Sequence, residues 1–467
     1  MVRRPQPDPA WWTSATHDGR PIAEVLSHRD IAGLFRFLKS RGFSRAAIAA
    51  ATSMSETRVR AITQGGQQVT SYDVLERITD GLGIDRGLVG LAYSQTAHRV
   101  ARTATTHSDP GDYGDFLGAL ASYAVGSPPA NANRLLPTPP MPTDGVPAVV
   151  TDRHVAVLRE ISDRHRRFDA ERGGGSCRDS SLAYLHWAHG MLHSRFAKPE
   201  TERDLKAALS DMYQVVGWAC HDLGDHGDAR RYLTGSIALA RQIDDLPLIA
   251  GAFYRLGRIS IHQHRAQEAL RLWQLGQIVA QDSGCLVSVA VLHANEAWAY
   301  AALGQDALVC DALARAEGEL ARVDAATVPS WARFFLAPAD INGIAAVVYS
   351  TLATHSQHRA AFASMAIERA TLAFHNRGAG EARSHTFDAI SLATAHLLDS
   401  DLDQAEQHAH TAIDMTVEID SIRAVDRLHN LATLARPRAA HRGIAEVIHR
   451  IDTVTTAPDS LSRWRPV

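Results

Sequence analysis

The chain has 467 residues, of which 45% are hydrophobic, and its formal net charge is −3. Such a length suggests two or three domains, and the near-neutral charge excludes a uniformly basic protein that coats nucleic acid. Alanine and leucine dominate and β-branched or aromatic runs are sparse, so the composition predicts an all-α fold. Residues 1–100 carry 13 Lys and Arg against 9 Asp and Glu, a net charge of +4 that leaves −7 for the remainder. This asymmetry favours a local DNA contact near the N-terminus.

The cysteine spacing and the hydropathy predict a cytoplasmic protein. No CxxC pair occurs, which argues against a zinc ribbon or a disulfide framework and favours buried thiols in a reducing cytosol. The first residues, MVRRPQPDPAWW, lack the apolar core of a signal peptide, and no apolar run is long enough to span a membrane. The four cysteines are Cys177, Cys220, Cys285 and Cys310.

The N-terminal segment, residues 1–25, is rich in Pro, Asp and Arg and is predicted to be a disordered arm. Trp11 and Trp12 are unusual in such an arm and are expected to pack on a neighbouring surface that the sequence does not identify. Residues 26–95 predict a small DNA-binding domain, with five helices over 28–93. The apolar stripes and helix ends that support these helices are Ile31, Leu34, Phe35, Leu38, Gly42, Gly65, Gly66, Ser71, Val74, Leu75, Ile78 and Leu82.

Residues 44–62, SRAAIAAATSMSETRVRAI, are typical of a helix-turn-helix. Ser44 and Ser55 can each cap a helix, because a serine oxygen accepts a hydrogen bond from an unpaired N–H of the first turn. A second helix held in this way can be presented to the major groove of DNA. The alternative is an ordinary helical hairpin. The residues that would pack two short helices across a tight corner are Ile48, Ala49, Met54, Val59 and Ile62.

The second helix of this motif supplies most of the predicted DNA contacts. Thr57 is expected at a base, and Arg60 at a guanine, whose O6 and N7 match the guanidinium fork. Arg58 and Arg45 are expected at phosphates, as is the backbone N–H of Ser44 at a helix start. The alternative for each arginine is a solvated surface charge. The complete predicted surface is Ser44, Arg45, Ser55, Glu56, Thr57, Arg58, Arg60 and Gln64.

A proline-rich region divides the chain. Residues 96–150 are predicted to be a semi-rigid linker, because eight of the 19 prolines fall after residue 100 within it. A transient helix is expected at 112–125. From 151 to 452 the pattern predicts helix after helix, and 453–467 is expected to be a flexible tail.

The helical region also repeats. Small residues at Ala229, Ala269 and Val309 recur every 40 residues, each twelve positions after another small residue. Such pairs let two antiparallel helices cross closely, and stacked helix pairs form an α-solenoid. The alternative is plain antiparallel bundle packing. The five predicted crossings are Gly217 with Ala229, Gly257 with Ala269, Ala297 with Val309, Val348 with Ala360, and Ala393 with Ala405.

With these motifs, the chain resembles actinobacterial regulators that join an XRE-type helix-turn-helix to a body like the tetratricopeptide repeat. The resemblance rests on RAAIAAATSMSETRVRAI, VTSYDVLERITDGLGIDRGLVGLAY, GWACHDLGDHGDARRYL and FDAERGGGS, and covers most of residues 28–435. It implies transcriptional regulation, in some members of secondary metabolism or development. The chain departs from the pattern by lacking the repeat-ending proline. It also has Ser53 where the motif prefers a left-handed glycine, which costs on the order of 1 kcal/mol.

The first helices of the repeats predict a concave groove. Aromatic and amide side chains in such a groove suit an extended peptide, because the amides bond its backbone and the rings pack its side chains. The alternatives are packing between helices and a surface used only for dimerisation. The predicted groove residues are Gln214, Trp218, Tyr254, Arg258, Trp298, Asn342 and Tyr349.

No catalytic or cofactor motif is found, so no enzyme, cofactor or metal is expected. His186, His189 and His193 share one helix face, as metal ligands can, but no acidic or cysteine partner adjoins them. The glycines at 173–175 lack the GK[ST] of a phosphate loop and predict a helix break.

The sequence therefore predicts a transcriptional regulator whose partner is double-stranded DNA. Because one small domain contacts few phosphates, a homodimer on a palindromic site is expected. The body would mediate dimerisation or sense a peptide or small-molecule effector. The alternative is a helical-repeat interaction scaffold that does not bind DNA.

Overall fold

The computed structural model describes residues 7–91, 113–126, 145–333 and 338–456. These residues are mostly helical, which confirms the all-α prediction, and they form an N-terminal bundle and a body of stacked helix pairs. None of the helices in these ranges is both long and apolar enough to cross a bilayer. Four two-residue strands pair as β1 (Thr16–His17) antiparallel to β2 (Arg20–Pro21) and β3 (Val149–Val150) parallel to β4 (Arg195–Phe196).

The N-terminal bundle, which we call the head, packs around one apolar core. Every apolar residue predicted to face inward from its first long helix and from its last helix is buried. The expected fifth helix is only a 3-10 turn at Arg86–Val89. The α-helices of the head are α1 (Trp11–Ser14), α2 (Ile22–Ser27), α3 (Ile31–Ser40), α4 (Arg45–Thr52), α5 (Glu56–Thr63) and α6 (Tyr72–Leu82).

The segment expected to be a disordered arm is instead ordered from residue 7 and completes the head. The Trp12 side chain is 2% exposed, and its Nε1 donates to the Gly83 carbonyl over 3.1 Å. Trp11 meets Phe37 edge-on, with ring centroids 5.8 Å apart. The two indoles supply enough apolar surface to order a segment that is otherwise polar.

The body follows as helix pairs in which each helix packs on its sequence neighbour. Two helices precede six pairs. The helices are α8 (Asp152–Arg172), α9 (Arg178–Gly190), α10 (Pro199–Asp222) with α11 (His226–Gln242), α12 (Leu246–His262) with α13 (Ala266–Ser283), α14 (Leu286–Ala302) with α15 (Asp306–Leu320), α16 (Pro338–His355) with α17 (Arg359–His375), α18 (Ala382–Asp399) with α19 (Leu402–Thr416), and α20 (Ile422–Ala435) with α21 (Arg442–Thr456).

Nine of the ten predicted crossing positions are buried, as close approach of paired helices requires. Gly257 shows the reason for the small side chain, because a Cβ there would lie 2.1 Å from Nε1 of Trp273 on the paired helix. That Nε1 donates to the Tyr254 carbonyl over 3.0 Å, which fixes the indole against α12.

The tenth position, Ala360, is exposed, so the predicted fourth crossing is wrong. The buried small residue at this place on α17 is Ala363, with 0% exposure. The helix α16 continues seven residues beyond Val348, whereas α10 continues five residues beyond Gly217. The longer stretch of α16 after its crossing delays the start of the second helix and moves the crossing position of that helix along the chain.

Part of the predicted linker is packed structure. The helix α7 (Tyr113–Ala124) covers α11 and α13, with Leu117 and Leu120 buried. Arg241 donates to the Tyr123 carbonyl over 2.6 Å and so satisfies the end of this helix. The apolar face explains why a helix expected to be transient is held on the body. The other residues predicted to be linker lie outside the described residues, apart from those at 125–126 and 145–150, and so does the tail at 457–467.

The two ends of the body meet at the glycine-rich break after α8. Gly173 has φ +89°, and a Cβ there would lie 2.1 Å from the carbonyl oxygen of Asp420. The N–H of Gly174 donates to Asp222 over 2.7 Å, and Asp222 also accepts from Ser421 and Arg423. The glycines are therefore the helix break that the sequence predicts, and they also let the first and last parts of the body touch.

The head rests on α13 and α15 of the body. Arg29 forms an ion pair with Glu319, and both side chains are largely buried. Gln281 donates to the Gly90 carbonyl and Arg322 to the Thr70 carbonyl, each over 3.3 Å. These contacts set the orientation of the head relative to the body.

Candidate DNA-binding surface and the cavity of the body

The corner between α4 and α5 has the geometry of a helix-turn-helix. Ser44 Oγ accepts from the Ala47 N–H over 3.1 Å, and Ser55 Oγ accepts from the Arg58 N–H over 3.2 Å, so both serines cap helices as predicted. Ser53 ends α4 with φ 52° and ψ 41°, the left-handed conformation in which the motif prefers glycine.

The core beneath the corner fixes the angle of α5. Ile48, Val59 and Ile62 are at most 1% exposed. Gly81 of α6 crosses α4 so closely that a Cβ would lie 1.8 Å from the Ala51 carbonyl oxygen. The sequence reasoning missed this contact, since Gly81 is an isolated glycine inside a helical pattern and only the crossing explains it.

The predicted DNA contacts lie together on the surface of this corner. Of the eight residues predicted to contact DNA, Arg58 is half-buried and the other seven are exposed. Within the described residues, Arg45, Arg58 and Arg60 make no ion pair with a carboxylate, and Arg58 Nε is buried without a hydrogen-bond partner. The guanidinium groups are thus available to an external anion. These side chains are Ser44, Arg45, Ser55, Glu56, Thr57, Arg58, Arg60 and Gln64.

Arg36 is a further cation of this surface that the sequence reasoning missed. It lies on the exposed side of α3, and its Nη1 donates to the Thr63 carbonyl at the end of α5 over 3.3 Å. The signal in the sequence is its place opposite the apolar stripe of α3. The sequence does not predict its hydrogen bond to α5, because Arg36 and Thr63 belong to different helices.

The predicted groove residues separate into two sets. Trp218, Tyr254, Arg258 and Trp298 line one cavity in the centre of the body. The other three lie elsewhere. Gln214 is fully buried and donates to the Leu248 carbonyl, Asn342 accepts from Arg369, and Tyr349 stacks on Phe362 in the core.

Buried charges surround this central cavity. Burial alone would raise the pKa of Asp222, but the Arg423 and Arg383 guanidiniums and the Gly174 N–H hold it below its ordinary value. Burial raises the pKa of Asp388 to about 6, although its ion pair with Arg377 opposes the rise. The carboxylate of Asp222 is therefore ionised at neutral pH, whereas that of Asp388 titrates close to neutral pH.

Burial and the neighbouring His193 and His186 lower the pKa of His189, so these three histidines lie near one another. His189 Nδ1 lies 3.1 Å from the Tyr213 hydroxyl, and His193 is exposed. Among the described residues no group of His, Cys, Asp and Glu has the arrangement of a metal site. Cys177 and Cys220 are buried as expected, whereas Cys310 is exposed.

Comparison with known families agrees with the geometry of the head. A model of a helix-turn-helix domain matches residues 30–91, which span α3 to the 3-10 turn. No curated protein is significantly similar to the chain. The matched segment contains the whole corner of α4 and α5, so DNA binding is the activity that this domain suggests.

Proposed function

We propose that the chain is a cytoplasmic transcriptional regulator of the XRE type, which binds double-stranded DNA as a homodimer through α5. The observation that carries this proposal is that the two arginines of α5, within a matched helix-turn-helix domain, have no carboxylate partner among the described residues. The first turn of α5 would meet base edges, since recognition helices present their N-terminal residues in the major groove.

The body supports a regulatory role in this proposal. Its pairs resemble the tetratricopeptide repeat of the actinobacterial regulators named above, and the head is docked on α13 and α15. A change in these helices would therefore reach the head through direct contacts. We propose that the body mediates dimerisation and senses an effector, in control of secondary metabolism or development.

The DNA contact is tested with the full-length chain and a duplex selected from a random pool. The double change Arg58→Ala with Arg60→Ala should abolish specific binding and reduce the magnitude of the slope of log affinity against log salt by about 1, because Arg58 is the one of the two expected at a phosphate and each phosphate contact contributes ~0.9. Arg271→Ala removes an exposed cation on α13 and should leave both quantities unchanged. Fluorescence anisotropy over a salt series measures them.

Two results would contradict the proposal. One is the absence of salt-sensitive affinity for any duplex, which would leave an interaction scaffold as the function. The other is unchanged binding by the double variant. Light scattering and footprinting test the dimer separately, since a two-fold protein should protect two related half-sites about one helical turn apart.

A further inference from the structure

The central cavity lies where the first helices of all six pairs converge. Its lining comes from α10, α12, α14, α16, α18 and α20, and its volume is about 110 Å³. Trp298, Arg423 and Arg427 also line a second, neighbouring cavity of about 470 Å³. Together the two spaces are of the size that small organic molecules occupy in proteins.

Cations outnumber anions in the lining of the central cavity. Three of its five arginines are compensated by buried carboxylates: Arg377 by Asp388 over 2.6 Å, Arg383 by Asp169 over 2.5 Å, and Arg423 by Asp222. The other two are Arg258 and Arg427. Across the described ranges of the chain, neither of these has a carboxylate oxygen within 4.0 Å.

Buried hydrogen-bond donors around the central cavity lack acceptors among the described residues. The Trp218 and Arg423 side chains are each 6% exposed, yet Trp218 Nε1 and Arg423 Nη2 have no partner among the described residues. Arg258 Nε is a third buried donor without a partner there. Because buried donors are almost always paired, three of them around one cavity indicate a ligand rich in acceptors.

The guanidiniums of the cavity repel one another. Burial and the charges of Arg258 and Arg423 lower the pKa of Arg427 to about 9, against the opposing effect of Asp388. An anion placed among these groups would remove the repulsion and favour their charged forms.

Aromatic rings hold the two uncompensated cations in place. The Arg427 guanidinium lies 4.3 Å from the ring centroid of Phe387, and that of Arg258 lies 4.9 Å from the centroid of Trp298. Val347 adds an apolar wall that both cavities share. The site thus combines a cationic end with apolar surface, which suits a molecule that has an acidic group and a hydrocarbon part.

We infer that this cavity binds a small organic anion, with its carboxylate or phosphate between Arg258 and Arg427 and its apolar part against Trp298 and Phe387. The effector of the proposed function, a peptide or small molecule, would then be a small organic anion. Only the regulatory consequence of binding depends on that function.

Thermal unfolding of the full-length chain, without DNA and at fixed ionic strength, tests the site. Benzoate and phenyl phosphate should each raise the Tm by at least ~2 °C, inorganic phosphate by less, and uncharged benzamide not at all. In Arg427→Gln the anions should lose this effect, while the Tm without anion stays equal or rises because a repulsion is removed. Arg271→Gln, on the exposed face of α13, should respond like the unchanged protein.

The inference is overturned if neither organic anion raises the Tm, if benzamide raises it equally, or if Arg427→Gln responds like the unchanged protein. DNA binding is measured separately, in the salt series described above. A chain that binds the anions but no duplex would refute only the proposed function, and a chain that binds duplex but no anion would refute only the effector class.

Discussion

At the scale of single residues, the turn between α4 and α5 shows how a strained position can be read from the sequence. Ser53 has φ 52°, a conformation that glycine adopts readily and serine does not. The flanking helices fix this backbone conformation of Ser53, because both helices are capped by serines and packed through Ile48 and Val59. The corner therefore keeps its shape at the expense of some backbone strain.

Relief of this strain is measurable. Ser53→Gly should stabilise the corner by about 1 kcal/mol and slow amide exchange over residues 48–62 roughly fivefold where local opening controls it. Ala50→Gly, at an exposed position inside α4, should act in the opposite direction, because glycine disfavours a helix interior. Hydrogen exchange of the full chain measures both, and faster exchange in Ser53→Gly would contradict the assignment of strain.

At the scale of elements, the head and the body depend on a few glycines that other groups approach closely. Gly257 admits the Trp273 indole, Gly81 admits the backbone of α4, and Gly173 admits the backbone of Asp420. Only the first of these was part of a repeating pattern in the sequence. The last closes the body, since it brings the segment after α8 against the start of α20.

Position 173, where the first and last parts of the body meet, should tolerate no side chain. Gly173→Ala places a Cβ where the Asp420 carbonyl lies and keeps a positive φ, so we expect a loss of at least ~2 kcal/mol and a Tm lower by several degrees. Gly227→Ala is the matched control, because its Cβ on α11 would meet nothing within 4 Å. The control should be neutral or slightly stabilising, as alanine favours a helix. Equal Tm values for both variants would show that the closure contributes little.

At the scale of the whole molecule, the head and the body are one connected structure in the described residues. Glu319 joins them, because it pairs with Arg29 of the head and accepts from Arg322 of the body over 3.0 Å. Burial, together with the charge and hydrogen bond of Glu319, raises the pKa of Tyr72. A cavity of about 530 Å³ lies beside this ion pair, between α15 and the end of α5.

Loss of this contact should release the head. Glu319→Gln leaves Arg29 buried without a full counter-charge, which weakens docking by up to ~3 kcal/mol. Amide exchange at residues 86–91 should rise, whereas the helices from α16 onward should exchange as before. Glu317→Gln, which removes a more exposed carboxylate from the same helix, should leave exchange at residues 86–91 unchanged. Unchanged exchange in Glu319→Gln would mean that other contacts suffice to dock the head.

The sequence by itself determined the features that depend on nearby residues. Serine caps, the left-handed turn at Ser53 and the regular spacing of small residues all follow from chemistry within a helix or between adjacent helices. Tertiary structure alone decided how Trp12 orders the head, how the first and last parts of the body meet, and which arginines face one cavity. Asp222 and Arg423 are 201 residues apart, and their contact depends on the accumulated curvature of every intervening pair. A helix that continues further past its crossing, as α16 does, moves the next crossing along the chain without changing the local pattern that predicts each helix.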